Sequence, residues 1–201
     1  MFVSKHPMCT TIHKVKAMLK QRPRTDTLGN GNDPVKILKN QSPETSSLEA
    51  APTLQVIQWF NTAGPLDLDA LRGKVVVLHA FQMLCPGCVH HGIPQMQRIQ
   101  RQFNAADVAV IGLHTVFEHH NVMSPEALTV FIDENRLTFP IGVDTPDREG
   151  GCPLTMRTYK MKGTPTLILI DRQGRQRFHL FGQENDLGVG SAIGQLLAES
   201  G

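Results

Sequence analysis

Seven consecutive residues, Val75-Val76-Val77-Leu78-His79-Ala80-Phe81, are β-branched or apolar almost throughout, and Cys85-Pro86-Gly87-Cys88 follows shortly after them. A run of that composition is expected of a strand covered on both faces, as in the middle of a sheet clad in helices. Beyond the cysteines the apolar spacing turns helical over Gln95 to Phe103. A buried strand, a turn carrying two thiols and a helix are therefore predicted in that order.

The same alternation extends over most of the chain and predicts an α/β fold. Leu54 to Phe60 and Val108 to Leu113 read as strands, and Ile141 to Val143 as a small one. Ser124-Pro125-Glu126 has the residue order of a helix start, with a capping hydroxyl, a proline at the first helical position and an acid in the first turn. That helix is expected to reach about Leu137, and Pro153 to Tyr159 to form a short one. Thr166 to Asp171 and Gln176 to Phe181 flank a turn and predict a hairpin. A terminal helix carries Ile193, Leu196 and Leu197.

Residues 1–53 differ in kind. They are rich in turn formers, and positions 1–50 hold eight Lys and Arg against four Asp and Glu. The expectation is a basic, disordered N-terminal extension followed by one domain over 54–201. Within the extension, Ile12, Val15 and Leu19 fall at the spacing of a short basic amphipathic helix, and the acid-free first 25 residues also fit an organelle transit peptide. No secretory pattern is present, since Met1-Phe2-Val3 is followed at once by Ser4-Lys5-His6-Pro7. A cytoplasmic location is expected, with an organelle or the periplasm as the other settings. A net charge of +2 gives no electrostatic case for nucleic acid, and no apolar run is long enough to span a bilayer.

A chain of 201 residues needs no disulfide scaffold to build a core, so its four cysteines point to chemistry. Two residues between Cys85 and Cys88, around a turn into a helix, allow the sulfurs to approach bonding distance. Unpaired N–H groups and the dipole at a helix start favour an anion, which marks Cys85 as the attacking thiolate. Cys88, one turn further in, would resolve the mixed disulfide. A haem attachment site needs His after the second cysteine, where Val89 stands. Structural zinc, with His90 and His91 as the neighbouring donors, and an inert pair are the other readings.

The strand leading into Cys85-Pro86-Gly87-Cys88, Pro94 in the next helix, and Gly163-Thr164-Pro165-Thr166 opening a further strand together resemble the thioredoxin superfamily. The resemblance implies a central mixed β-sheet flanked by helices. The long interval between the two motifs resembles the TlpA-like thiol-disulfide oxidoreductases and the alkyl hydroperoxide reductase/thiol-specific antioxidant (redoxin) branch, with an inserted β-α unit between the Cys-x-x-Cys helix and the proline strand. It also implies a cis bond at Pro165, with Thr164 and Pro165 pairing with an extended substrate segment; a trans proline starting an edge strand is the alternative. Two departures are visible. Leu84 replaces the usual aromatic before the first cysteine, and Pro94 comes one position later than in thioredoxin, leaving room for a local bulge.

His79 takes the place of a buried acidic residue and is read either as the acceptor or relay of the Cys88 proton or as a strand histidine satisfied by a fixed hydrogen bond. His90 and His91 either assist the thiolate or form a solvated face. His114, Glu118, His119 and His120 form a second cluster able in principle to bind copper or zinc. Cys152 reads as a small apolar residue or a third redox thiol.

The leading expectation is an enzyme that reduces protein disulfides, with Cys85 attacking, Cys88 resolving and an external dithiol reductant regenerating the pair. No cofactor and no metal is expected. One alternative is a peroxiredoxin-type thiol peroxidase with antioxidant activity at Cys85, although Leu78 and Gln82 stand where peroxiredoxins carry proline and threonine. The other is a non-catalytic thioredoxin-fold or metal-binding module.

Overall fold

The computed structural model describes residues 49–199. The amphipathic segment and most of the expected extension, 1–48, lie outside the described residues. Of the extension's last residues, Ala50 forms a β-bridge with Arg175, and Ala51 N–H donates to the Gly174 carbonyl. The bonded domain thus begins several residues before Leu54.

Six strands form one mixed sheet: β1 (Val56–Phe60), β2 (Val75–Phe81), β3 (Val108–His114), β4 (Ile141–Asp144), β5 (Thr166–Ile170) and β6 (Gln176–Phe181), in the order β1-β4-β3-β2-β5-β6. Strands β2, β3 and β4 run parallel, and β1, β5 and β6 pair antiparallel to their neighbours. The helices are α1 (Ile93–Gln102), α2 (Pro125–Glu134), α3 (Leu154–Thr158) and α4 (Asp186–Ala198). The inserted unit is β4 with α3, and it places β4 between β3 and the first strand.

All seven residues of β2 are buried, as the apolar run requires of a strand covered on both sides. Its side chains alternate between two cores: Val75, Val77 and Phe81 pack on one face with Cys88 and residues of α1, α2 and α4, while Val76, Leu78 and Ala80 face Cys152 and Met156 on the other.

Ser124 caps α2, its hydroxyl accepting from Ala127 N–H at 3.3 Å. That helix ends at Glu134, before the expected Leu137, because Arg136 takes a left-handed φ of 50°. The first strand begins at Val56 rather than Leu54 and carries a register irregularity between Val56 and Gln58.

The helix after the cysteines starts with a π turn over Cys88–Gly92, in which Ile93 N–H reaches back to the Cys88 carbonyl. Pro94 explains the wide turn: lacking an N–H and crowding the carbonyl four residues back, it fits poorly one turn into a regular helix. The late proline is absorbed by that added residue.

Candidate active site

The two cysteines occupy the junction where β2 leaves the sheet and the helix begins. The Cys85 carbonyl accepts from both Cys88 N–H and Val89 N–H at 3.0 Å, placing Cys85 at the helix start. Cys85 is half-buried and Cys88 is 0% exposed, so a molecule approaching from solvent meets the first sulfur and not the second. Leu84, beside Cys85, is 55% exposed, and supplies an aliphatic contact where an aromatic is usual.

The segment before β5 closes the other side. The Thr164–Pro165 bond is cis, and β5 lies between β2 and β6 rather than at an edge. The Cys85 thiol donates to the Thr164 carbonyl at 3.5 Å. A Cβ on Gly87 would stand 3.2 Å from Pro165 Cδ, so the turn between the cysteines packs directly on the proline.

The Cys88 thiol is pushed up, first by its hydrogen bond to Cys85, then by burial and by the Cys85 charge. A backbone hydrogen bond from Gln82 and the neighbouring Thr164 hydroxyl act in the opposite direction. The Thr164 hydroxyl is buried and has no hydrogen-bond partner of ordinary geometry. Of the pair, Cys88 is the thiol whose hydrogen bond to Cys85 and burial favour the protonated form.

His79 lies on the Cys88 face of β2, under the π turn. A Cβ on Gly92 would stand 2.2 Å from its Nε2, so only glycine allows this approach. The imidazole is 2% exposed, and neither nitrogen has a hydrogen-bond partner. Burial lowers its pKa to about 4, which keeps it neutral. A fixed hydrogen bond therefore does not account for this histidine.

Sequence proximity misgroups the second histidine cluster. His114 is 1% exposed and sits 5.3 Å from the Phe81 ring, whereas His119 and His120 are exposed after a turn in which His119 adopts φ 52°. Among the described residues no three His, Cys, Asp or Glu side chains converge as a metal site. His90 and His91 are exposed. Cys152 is buried on the far face of the sheet from Cys88.

Three residues near or supporting the site escaped sequence reasoning. Gly92 makes room for His79, the Gln82 carbonyl accepts from Cys85 N–H, and Gln95 ties the helix to the start of α4. Gln95 Nε2 donates to the Glu184 carbonyl at 2.8 Å and to Asp186 Oδ1 at 2.9 Å. Only Gln82 had a signal: a polar residue ending an apolar strand.

A six-stranded mixed sheet flanked by helices, with a cysteine pair at a helix start, defines an oxidoreductase of the thioredoxin-like fold. The AhpC/TSA family profile matches residues 49–178, and the chain belongs to that family. It is 54% identical to a thioredoxin-like superfamily protein of known crystal structure, covering 75% of this chain and 97% of that one with a TM-score of 0.74. It is 52% identical to a thiol-disulfide isomerase from Corynebacterium glutamicum, covering 75% of this chain and 98% of that one with a TM-score of 0.71. Among curated proteins it is 30% identical to Protein DipZ of Mycobacterium bovis over 169 residues, 81% of this chain but 23% of DipZ. It is 27% identical to NHL repeat-containing protein 2 of Gallus gallus over 149 residues, 73% of this chain and 19% of that protein. The chain thus spans less than a quarter of these curated relatives' length. No helix among the described residues is long and apolar enough to cross a membrane.

Proposed function

We propose that this protein reduces disulfides in protein substrates through the Cys85–Cys88 pair. The observation that carries the reading is the asymmetry of the two sulfurs, one half-exposed beside the cis Thr164–Pro165 backbone and one sealed in the core with its thiol pushed up.

The Cys85 thiolate attacks one sulfur of the partner's disulfide; that bond breaks, and the departing partner sulfur takes a proton. Cys88 then gives up its proton and attacks Cys85 Sγ, displacing the second partner sulfur as a thiol. The chain is left with a Cys85–Cys88 disulfide, which an external dithiol reduces. Thr164 and Pro165 hold the substrate's extended backbone at the attacking sulfur by strand-like pairing.

His79 receives the Cys88 proton. An imidazole neutral down to about pH 4 has a free lone pair at neutral pH but holds a captured proton weakly, which suits a relay rather than a store. His79→Ala is expected to move the pH profile of disulfide exchange upward, and an unchanged profile would remove His79 from the reaction.

The peroxidase reading draws on the family membership. It is the weaker one because Leu78 is wholly buried and the Gln82 amide is occupied by other bonds, leaving no hydroxyl three residues before Cys85 to meet a peroxide.

The test is a Cys88→Ser variant mixed with a disulfide-bonded protein such as insulin and analysed by mass spectrometry. A partner covalently held on Cys85 supports the reading. No adduct on Cys85, together with no insulin reduction by the wild-type chain, overturns it.

A further inference from the structure

Half of strand β3 has a neighbour on one side only. It pairs with β2 along its whole length, from Val108 beside Val75 to His114 beside Phe81, but with β4 only over Gly112–His114. A strand between two parallel neighbours bonds to them through alternate residues. Val75 N–H donates to the Asp107 carbonyl and Thr115 N–H to the Phe81 carbonyl, so the odd-numbered residues of this segment serve β2. Gly112 N–H donates to the Pro140 carbonyl, so the even-numbered ones face the β4 side. Val110, two residues earlier, therefore aims its N–H and C=O past the start of β4, where Pro140 has no N–H to offer the carbonyl. Among the described residues nothing accepts from Val110 N–H, although Val110 is 7% exposed. Buried backbone donors are nearly always paired.

The open edge lies in an apolar groove of about 180 Å³, at the end of the sheet away from the cysteines. Leu66 and Leu71, from the segment before β2, form one wall, Ile99 and Phe103 of α1 and its end form the other, and Pro140 stands at the head. A cavity of about 150 Å³ holds benzene, so this one admits a branched aliphatic side chain. An uncovered strand edge between apolar walls is a template for a further strand, and folded proteins cover such edges.

We propose that Val35-Lys36-Ile37-Leu38 of the same chain adds to β3 along this edge as a short strand, its backbone bonding to Val110 and Ile37 filling the groove.

The run lies outside the described residues. Within 1–48 it is the one place where two β-branched aliphatic residues stand two apart, the spacing that sets both on one face of a strand. Lys36, on the opposite face, can lay its stem along a wall and keep its ammonium in water. The described chain also starts at this end of the sheet. Ala50 bridges to Arg175 at the start of β6, and Arg172 of the same turn pairs at 3.5 Å with Asp107, next to Val108. From Ala50 across β6, β5 and β2 to β3 is four strand spacings, about 20 Å. Residues 39–49 reach about 40 Å when extended, so Leu38 arrives at the groove with slack. So short a tether keeps the segment at an effective concentration on the order of millimolar, which favours it over a second copy.

The test is NMR on the full chain. Nuclear Overhauser contacts from the Ile37 methyls to the Phe103 ring or the Leu71 methyls are expected. The Val110 amide should exchange with solvent about ten-fold more slowly than in Ile37→Asp, the effect of one backbone hydrogen bond, while the Val77 amide of β2 exchanges alike in both. Absence of the Ile37 contacts in the wild-type chain overturns the proposal, and so does Val110 exchange that is equal in the two proteins. Contacts seen only between labelled and unlabelled copies in a mixed sample overturn it as well, since they seat a second molecule in the groove. If Ile37→Asp does not fold, the contacts in the wild-type chain decide alone.

Discussion

A single hydrogen on the Cα of Gly92 separates the π turn from the imidazole of His79, since a methyl there would stand 2.2 Å from Nε2 and 2.5 Å from Cε1. Either the ring or the helix must move. Gly92→Ala is expected to cost about 2 kcal/mol in denaturant unfolding, within the range for overpacked cores. It should also disturb the pH profile of exchange, because the displaced ring is the proposed proton acceptor. Cys85, Cys88 and His79 could be singled out from sequence because each is a chemically distinctive residue at a recognisable distance from the others. Gly92 could not, since its importance arises from a close approach between a helix and a strand that spacing along the chain does not encode. His114, His119 and His120 teach the converse. Neighbours in sequence, they part in space because β3 turns His114 into the core and the loop carries the other two outward.

Strand β2 was readable residue for residue, because a seven-residue β-branched run has few other homes. The late Pro94 announced an irregularity that took the form of the π turn. Helix α3 lies within the expected Pro153 to Tyr159, but what holds it in place is not written in the local pattern. Five residues are too few to stand alone, and its stability comes from elsewhere. Asp144, at the end of β4, accepts from Thr155 N–H at 2.8 Å, Met156 N–H at 3.0 Å and the Thr115 hydroxyl at 2.9 Å. Burial pushes this carboxyl up while those three donors pull it back. The inserted unit is thus held together by a strand residue capping a helix ten positions later in the chain, a contact no local periodicity reveals. Asp144→Ala should cost about 3 kcal/mol by stranding buried donors, and Asp144→Asn, which keeps one acceptor oxygen, less. Chemical denaturation of both variants checks the order.

At the scale of the whole molecule, two buried imidazoles govern behaviour in acid. His79 and His114 are each lowered from 6.5 to about 4 by burial, so the unfolded chain binds protons that the folded chain refuses. Their contribution is complete above pH 6.5 and is lost progressively as pH falls towards 4, by about 3 kcal/mol for each. The raised Asp144 works in the opposite sense, because it binds a proton more readily folded than unfolded. Unfolding free energy measured between pH 7.5 and 4.5 should therefore fall towards acid, and His114→Leu should flatten the curve by about half. The overall architecture was legible because strand and helix signals alternate cleanly. The sheet's two cores are not legible in the sequence, since face depends on register. That partition has a consequence for oxidation. Among the described residues, Cys152 lies on one side of a six-stranded wall and Cys88 on the other. Within the described residues, the sheet therefore insulates Cys152 from the pair, and a Cys152→Ser substitution is expected to leave the redox behaviour of Cys85 and Cys88 as it is.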